Sequence, residues 1–381
     1  MMIGARKDID DILADLSSQD GRGRRSSSYE ILRGHGSATY TSEGELIVTS
    51  YRLASKLLLD HRMTQISEPS KYPDWREHRS LRLIHGNMLT ANPPEHTRLR
   101  AAVAKVFAPR NITAFESEIE RITEELIETI VTNSASINVA DDFALPLSIT
   151  VIGNLLGIPA SDRLELRSHV ITLAGIFNIA GQRDDAALAS ADRSAEALSD
   201  YLTRLVMKRR AEPRDDLISE LVAAHASVDL SMAEIVSMVL LLYSNGFETT
   251  ANTLAEGIMA LLNHPDQADL IRFNPDLTRN AVDEVIRLHP PVEAVSRVAA
   301  GAIQTDVGQL PAGQRVLVLL EAVNRDPHVF ADPDQFDITR TGPRSLSFGG
   351  GIHYCLGSHL AKLEAKVAFP ALLRELDAVR R

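Results

Sequence analysis

Ser347-Phe-Gly-Gly-Gly-Ile-His-Tyr-Cys355-Leu-Gly357 decides how this 381-residue chain is read. Cys355 is its only cysteine. Three glycines precede it, and Ser358-His-Leu-Ala-Lys-Leu-Glu-Ala-Lys-Val-Ala368 behind it has helical spacing and good helix formers. The spacing therefore predicts a cysteine where a glycine-rich loop enters a helix. There the amide N–H groups and the helix dipole favour a thiolate, which can act as nucleophile or metal ligand. A lone cysteine can equally be a small buried apolar residue.

Phe348, Gly351, His353, Cys355 and Gly357 spell Phe-x-x-Gly-x-His-x-Cys-x-Gly. This resembles the haem-binding loop of the cytochrome P450 family. The resemblance implies that Cys355 is the axial thiolate ligand of a haem iron, a ligand that favours O–O cleavage. It also implies that His353 reaches a haem propionate and that Phe348 shields the sulfur. The cofactor expected is haem b, with Cys355 as its metal ligand.

Three shorter motifs come in the order the family requires. Pro93-Pro-Glu-His-Thr-Arg-Leu-Arg100 opens a helix on which His96 and Arg100, four apart, share a face. It resembles the family helix whose two such residues bind a propionate. Ser231–Asn263 is the longest helical pattern, nearly all apolar from Ile235 to Gly246, and carries Gly246-Phe-Glu-Thr-Thr250. The resemblance makes Glu248 and Thr249 an acid–alcohol pair that relays protons, whereas the residues alone also allow threonines bonded back to the previous turn. Glu284 and Arg287 match the family's Glu-x-x-Arg structural pair. Gln335 stands where many relatives carry Arg, so the third member of that network is left unnamed. Arg297 matches another propionate ligand. Leu242, Asn245, Val292 and Glu293 are expected to line the substrate pocket. Asn245 departs from the Ala or Gly usual among relatives.

Net charge is −11, with 44% hydrophobic and 24% charged residues. The acidic balance disfavours nucleic acid and anionic membrane as partners. A single cysteine excludes an intrachain disulfide framework and fits a reducing compartment. The first residues show no long apolar run, so no anchor or signal segment is expected, and the protein is expected to be cytoplasmic.

The expected fold is mainly α with small β-sheets, the cytochrome P450 fold: a long central helix over the haem, a helix bundle and a β-rich lobe. One domain is expected over 1–381. Residues 1–28 are expected to include a poorly ordered segment, because 17–28 are polar and biased. Its arginines are compatible with a phosphate or a solvated loop. Gly181-Gln-Arg-Asp-Asp185 should interrupt the helices between 162 and 210. Residues 302–320 read as a hairpin turning at Pro311-Ala-Gly313.

The function implied is a haem-thiolate monooxygenase. It would use dioxygen and two electrons from a separate ferredoxin or flavodoxin to hydroxylate or epoxidise a small organic molecule of natural-product type. A peroxide-fed peroxygenase and a haem-binding sensor or carrier are the alternatives. Residues 341–381 hold six Lys/Arg against three acids, opposite to the balance of the whole chain, and this suits an acidic electron donor.

Overall fold

The computed structural model describes residues 2–16, 25–66, 73–133, 137–177 and 184–380. In chain order its helices are α1 (Met2–Leu16), α2 (Arg25–Gly34), α3 (Tyr51–Leu59), α4 (Arg79–His85), α5 (Glu95–Ala104), α6 (Pro109–Thr113), α7 (Glu116–Asn133) and α8 (Leu145–Leu156). There follow α9 (Arg163–Ala174), α10 (Asp185–Ala211), α11 (Leu217–Val228), α12 (Met232–Asn263), α13 (Pro265–Phe273), α14 (Thr278–Leu288), α15 (Leu320–Val323) and α16 (Ser358–Arg380). The strands are β1 (Ala38–Tyr40), β2 (Leu46–Val48), β3 (Met63–Thr64), β4 (Ala294–Ala299), β5 (Ile303–Thr305), β6 (Gly308–Leu310) and β7 (Arg315–Leu319). Among the described residues the architecture is mainly helical with two small sheets, in line with the expected mainly α fold with small β-sheets. The chain forms two compact units, Met1–Ile66 with Met259–Cys355, and Ser67–Ile258 with Leu356–Arg381.

The first unit is built on a sheet of order β1-β2-β7-β4-β3. β2 runs parallel to β7, with Ile47 opposite Leu317, and β4 runs antiparallel to β7, with Arg297 opposite Val316. One face packs Leu46, Val48, Val316 and Val318 on Leu53 and Leu57 of α3. The other packs Ile47 and Leu319 on Tyr29 and Leu32 of α2 and Ile9 of α1. A sheet covered on both faces explains why β2 and β7 read as continuous apolar runs.

Two expectations need correction here. Residues 25–28 begin α2 rather than a loose segment. The periodic burial of Tyr29 and Leu32 holds that helix, and Arg25 pairs with the carboxylates of Glu293 and Glu321. Tyr29 also donates to Glu321 at 3.0 Å. Residues 17–24, and the interruption expected at 181–183, lie outside the described residues. The hairpin turns at Asp306-Val307, where β5 pairs with β6. There Thr305 Oγ1 donates to Gly308 O at 2.6 Å and accepts from Val307 N at 3.2 Å. Pro311-Ala-Gly313 instead hands the chain from β6 to β7, which sits between β2 and β4.

In the second unit α8 ends at Gly157, whose φ of +82° is the left-handed cap that glycine favours. α12 is the long core helix. Gly246 lets it approach α8: a Cβ there would lie 2.5 Å from Ile152 Cγ1. Among the described residues one stretch, Val139–Leu156, is long and apolar enough to cross a membrane by composition, and 56% of it is buried inside the protein. Residues 139–144 within it form a π-helical turn capped by Asn138.

The segment around α4 is clasped to α10 by charge. His78 lies between two carboxylates, Nδ1 2.9 Å from Asp192 and Nε2 3.3 Å from Asp74. Ser80 N and Oγ donate to the other Asp192 oxygen at 2.8 and 2.7 Å, and Arg79 donates to Glu196 at 2.7 Å. The hydrogen bond to Asp192, helped by Asp74 and partly offset by burial, raises the His78 pKa above its ordinary value. Stabilisation from a raised folded-state pKa is fully present below about pH 6.5 and drains away as pH climbs through the folded value. We expect amide-exchange protection of residues 73–85, corrected for intrinsic rates, to fall between pH 6 and pH 8. Asp192→Asn should abolish that pH dependence; a pH-independent parent would contradict the clasp.

Candidate functional site

The cysteine loop is held by its own backbone and by α3. Cys355 N donates to Phe348 O at 2.9 Å and Gly349 N to Leu346 O at 2.8 Å, so the loop folds back on itself. Gly351 has φ +64°, and a Cβ there would come within 2.5 Å of Leu58 O. Both the conformation and the space exclude any side chain at that position. Gly351–His353 then makes one 3₁₀ turn. The Phe348 and Tyr354 rings lie 6.1 Å apart. Cys355 is exposed, which removes the reading of a buried apolar cysteine. α16 starts three residues later.

The loop is tied down from below. Ser347 Oγ donates to Ile286 O of α14 at 2.6 Å, Asn324 Nδ2 donates to Ser347 Oγ at 2.8 Å, and Leu346 N donates to Asn324 Oδ1 at 2.8 Å. Asn324 is fully buried. Glu284 and Arg287 of α14 form a buried bidentate pair at 2.7 and 2.8 Å. Arg287 also donates to the carbonyls of Asn324 and Pro333 at 3.0 and 2.7 Å. The third member of this network is Arg340, whose Nε donates to Glu284 Oε1 at 3.0 Å. Gln335, the departure that left the third member unnamed, contributes its backbone carbonyl to Arg287 and Arg340. No local sequence signal marks Arg340, because the partner arrives from 56 residues away.

Arg297 of β4 is buried, and burial pushes its pKa down to about 10. Its hydrogen bonds among the described residues go to Ser296 O at 2.8 Å and Gln65 Oε1 at 3.5 Å, with no carboxylate. A buried guanidinium without a counter-charge is costly, so the site suits an anion. Glu293 is engaged by Arg25, and Val292 is 40% exposed.

The second unit carries the remaining candidates. His96 is buried on α5, and burial together with the Arg100 charge holds its pKa below the ordinary value. Arg100 is half-buried one turn later. On α12, Leu242 is buried, whereas Asn245, Glu248 and Asn252 are exposed and Thr249 is half-exposed. Their spacing puts these four polar residues on one face. Thr249 Oγ1 donates to Asn245 O at 2.7 Å, the back-bond that the residues alone allowed. Beside them lies a cavity of about 150 Å³ lined by Asp141, Arg167, Phe247, Glu248 and Asn252 among others.

Residues 41–379 match the family model for cytochrome P450. The chain belongs to the cytochrome P450 family. It is 36% identical over 352 residues to cytochrome P450 107B1 of Saccharopolyspora erythraea, covering 88% of this chain and 82% of that one. It is 36% identical over 359 residues to the cytochrome P450 monooxygenase PikC of Streptomyces venezuelae, covering 91% and 82%. A crystal structure of P450BioI in complex with an acyl carrier protein ligated to hexadec-9Z-enoic acid superposes with TM-score 0.85 at 33% identity, covering 92% and 91%. The chain is a P450 monooxygenase with a haem-thiolate cofactor, fed with dioxygen and with electrons from a redox partner.

Removing Arg340 strips one charged donor from a buried carboxylate that keeps its Arg287 bonds. Arg340→Ala should cost about 1.5–3 kcal/mol in urea unfolding of the purified protein. An effect within about 0.5 kcal/mol, the range of ordinary surface substitutions, would place Arg340 outside the network.

Proposed function

We propose that Cys355 is the axial ligand of haem b and that this protein hydroxylates or epoxidises a small natural-product intermediate. The observation that carries the reading is the exposed thiol at the end of a loop whose glycines are imposed by φ and by the Leu58 backbone. Bound there, haem would supply the dioxygen chemistry of a thiolate-ligated iron. The chain's own residues would hold it. Arg297, His353, His96 and Arg100 would take the propionates, and the buried, carboxylate-free Arg297 fits that role best. Phe348 would cover the sulfur. The two compact units are read as one domain because the family match runs through both.

Glu248 and Thr249 would deliver protons. Glu248 lines a cavity whose outer residue Asp141 is exposed, which gives water an approach to its carboxylate. Thr249, one residue on, would hold a water or hydroxyl proton in position. This intact pair favours the monooxygenase over a peroxide-fed peroxygenase, and it gives a sensor or carrier nothing to do.

Substrate class is inferred from relatives, among them a 6-deoxyerythronolide B hydroxylase of Saccharopolyspora erythraea, 38% identical over 304 residues and covering 77% of this chain and 72% of that one. The electron donor is proposed to be an acidic ferredoxin or flavodoxin in the cytoplasm. Of the three acids in 341–381, Glu364 is fully buried, and burial pushes its carboxyl well above the usual range. Glu364 is thus no part of the surface the segment offers a partner, and Lys366 pairs with Glu116 at 2.7 Å.

The reduced carbon-monoxide complex of the purified protein should show the strongly red-shifted Soret band of thiolate ligation, and Cys355→Ala should lose it. A variant that retains the band would remove Cys355 from the iron. Thr249→Ala should keep haem content while diverting reducing equivalents from product into hydrogen peroxide. Unchanged coupling would mean that Thr249 only caps its own helix turn.

A further inference from the structure

The hydrogen-bonding face of α12 is lopsided. Its opposite side is fixed: Phe247 and Leu254 are buried to within 1%, and Gly246 rests on Ile152 with no space for a Cβ. The rotational setting of the helix is thereby pinned, and with it the stripe of Asn245, Glu248, Thr249 and Asn252. Thr249 spends its hydroxyl proton on Asn245 O at 2.7 Å. It therefore meets anything on that face as an acceptor. Glu248, when ionised, is acceptor-only. Asn252 lies with Glu248 along the cavity flank. Beside Thr249, on the flank away from that cavity, the group with protons to give is the Asn245 carboxamide. Its amide makes no hydrogen bond within the protein among the described residues. An amide brings two N–H donors and one acceptor oxygen, here one turn before Thr249 and level with it on the helix face.

We propose that Asn245 is a specificity-determining residue whose amide N–H donates to a carbonyl-type oxygen of the substrate, a ketone, ester or lactone. The proposal rests on the reading that the Glu248–Thr249 face is the reaction face. One hydrogen bond from a fixed donor orients the ligand about its oxygen and so decides which carbon is presented for oxidation. The preferred substrate class is then a largely apolar molecule carrying an acceptor oxygen, and an otherwise identical hydrocarbon is discriminated against because it leaves the amide unpaired.

The test is a spin-state titration of the haem-loaded protein with cyclododecanone and cyclododecane, which differ by one carbonyl. The parent should bind the ketone about tenfold more tightly or better, the equivalent of one net hydrogen bond. Asn245→Ala should bring the ratio to about one, because it removes both the donor to the ketone and the amide that the hydrocarbon leaves unpaired. Asn245→Asp keeps the size of the side chain and removes its N–H donors, so it should lose the ketone preference as well. A parent that binds both ligands alike, or a ketone preference that survives both substitutions, would overturn the proposal. Carbon-monoxide spectra of all three proteins separate the two layers of inference. A missing thiolate band in the parent would count against the haem assignment, whereas intact bands with an unmoved ratio count against Asn245 alone.

Discussion

The constraint on which the first unit turns is the contact between Gly351 and the Leu58 carbonyl. The loop has to pass α3 at a distance that leaves no place for a side chain, in a backbone conformation that L-residues rarely adopt. Once it does, Cys355 N can close on Phe348 O and the thiol faces outward. From below, Ser347 and Asn324 fasten the loop to α14, and α14 is fixed in turn by the Glu284–Arg287–Arg340 cluster. The cysteine is thus presented by a chain of buried polar contacts, each of which satisfies a group that would be costly to leave unpaired. In the proposed role of Cys355 as thiolate ligand, the position of the sulfur is set by these contacts of the fold itself.

In the second unit the same economy governs α12. The helix is largely apolar because it runs through a core; Asn245, Glu248, Thr249 and Asn252 form one stripe, while Ser237, Thr250 and Thr253 are buried. Gly246 fixes which way the stripe looks. The acid, alcohol and amide of that stripe therefore keep one orientation, and the hydroxyl of Thr249 bonds its own helix at Asn245 O. In the proposed roles the acid handles protons and the amide supplies the donor that the alcohol gives up.

Much of this was legible in the sequence, for physical reasons that vary by element. α12 announces itself because a long buried helix needs continuous apolar periodicity, and Ser231–Asn263 supplies it. The cysteine loop was legible because its glycines are demanded by backbone geometry. α2 was missed because its buried side, Tyr29 and Leu32, is short, and because the charge of Arg25 is absorbed by Glu293 and Glu321, almost 300 residues away. The same remoteness hid Arg340. The pairing of β2 with β7 was equally illegible, since parallel strands joined across most of the chain leave no local turn signal.

X-ray absorption at the iron edge of the haem-loaded protein tests the central claim most directly. The account predicts one sulfur scatterer in the first coordination shell of the parent and none in Cys355→Ala, with the nitrogen shell of the porphyrin retained. A first shell without sulfur in the parent, or one that keeps its sulfur when Cys355 is gone, would contradict it.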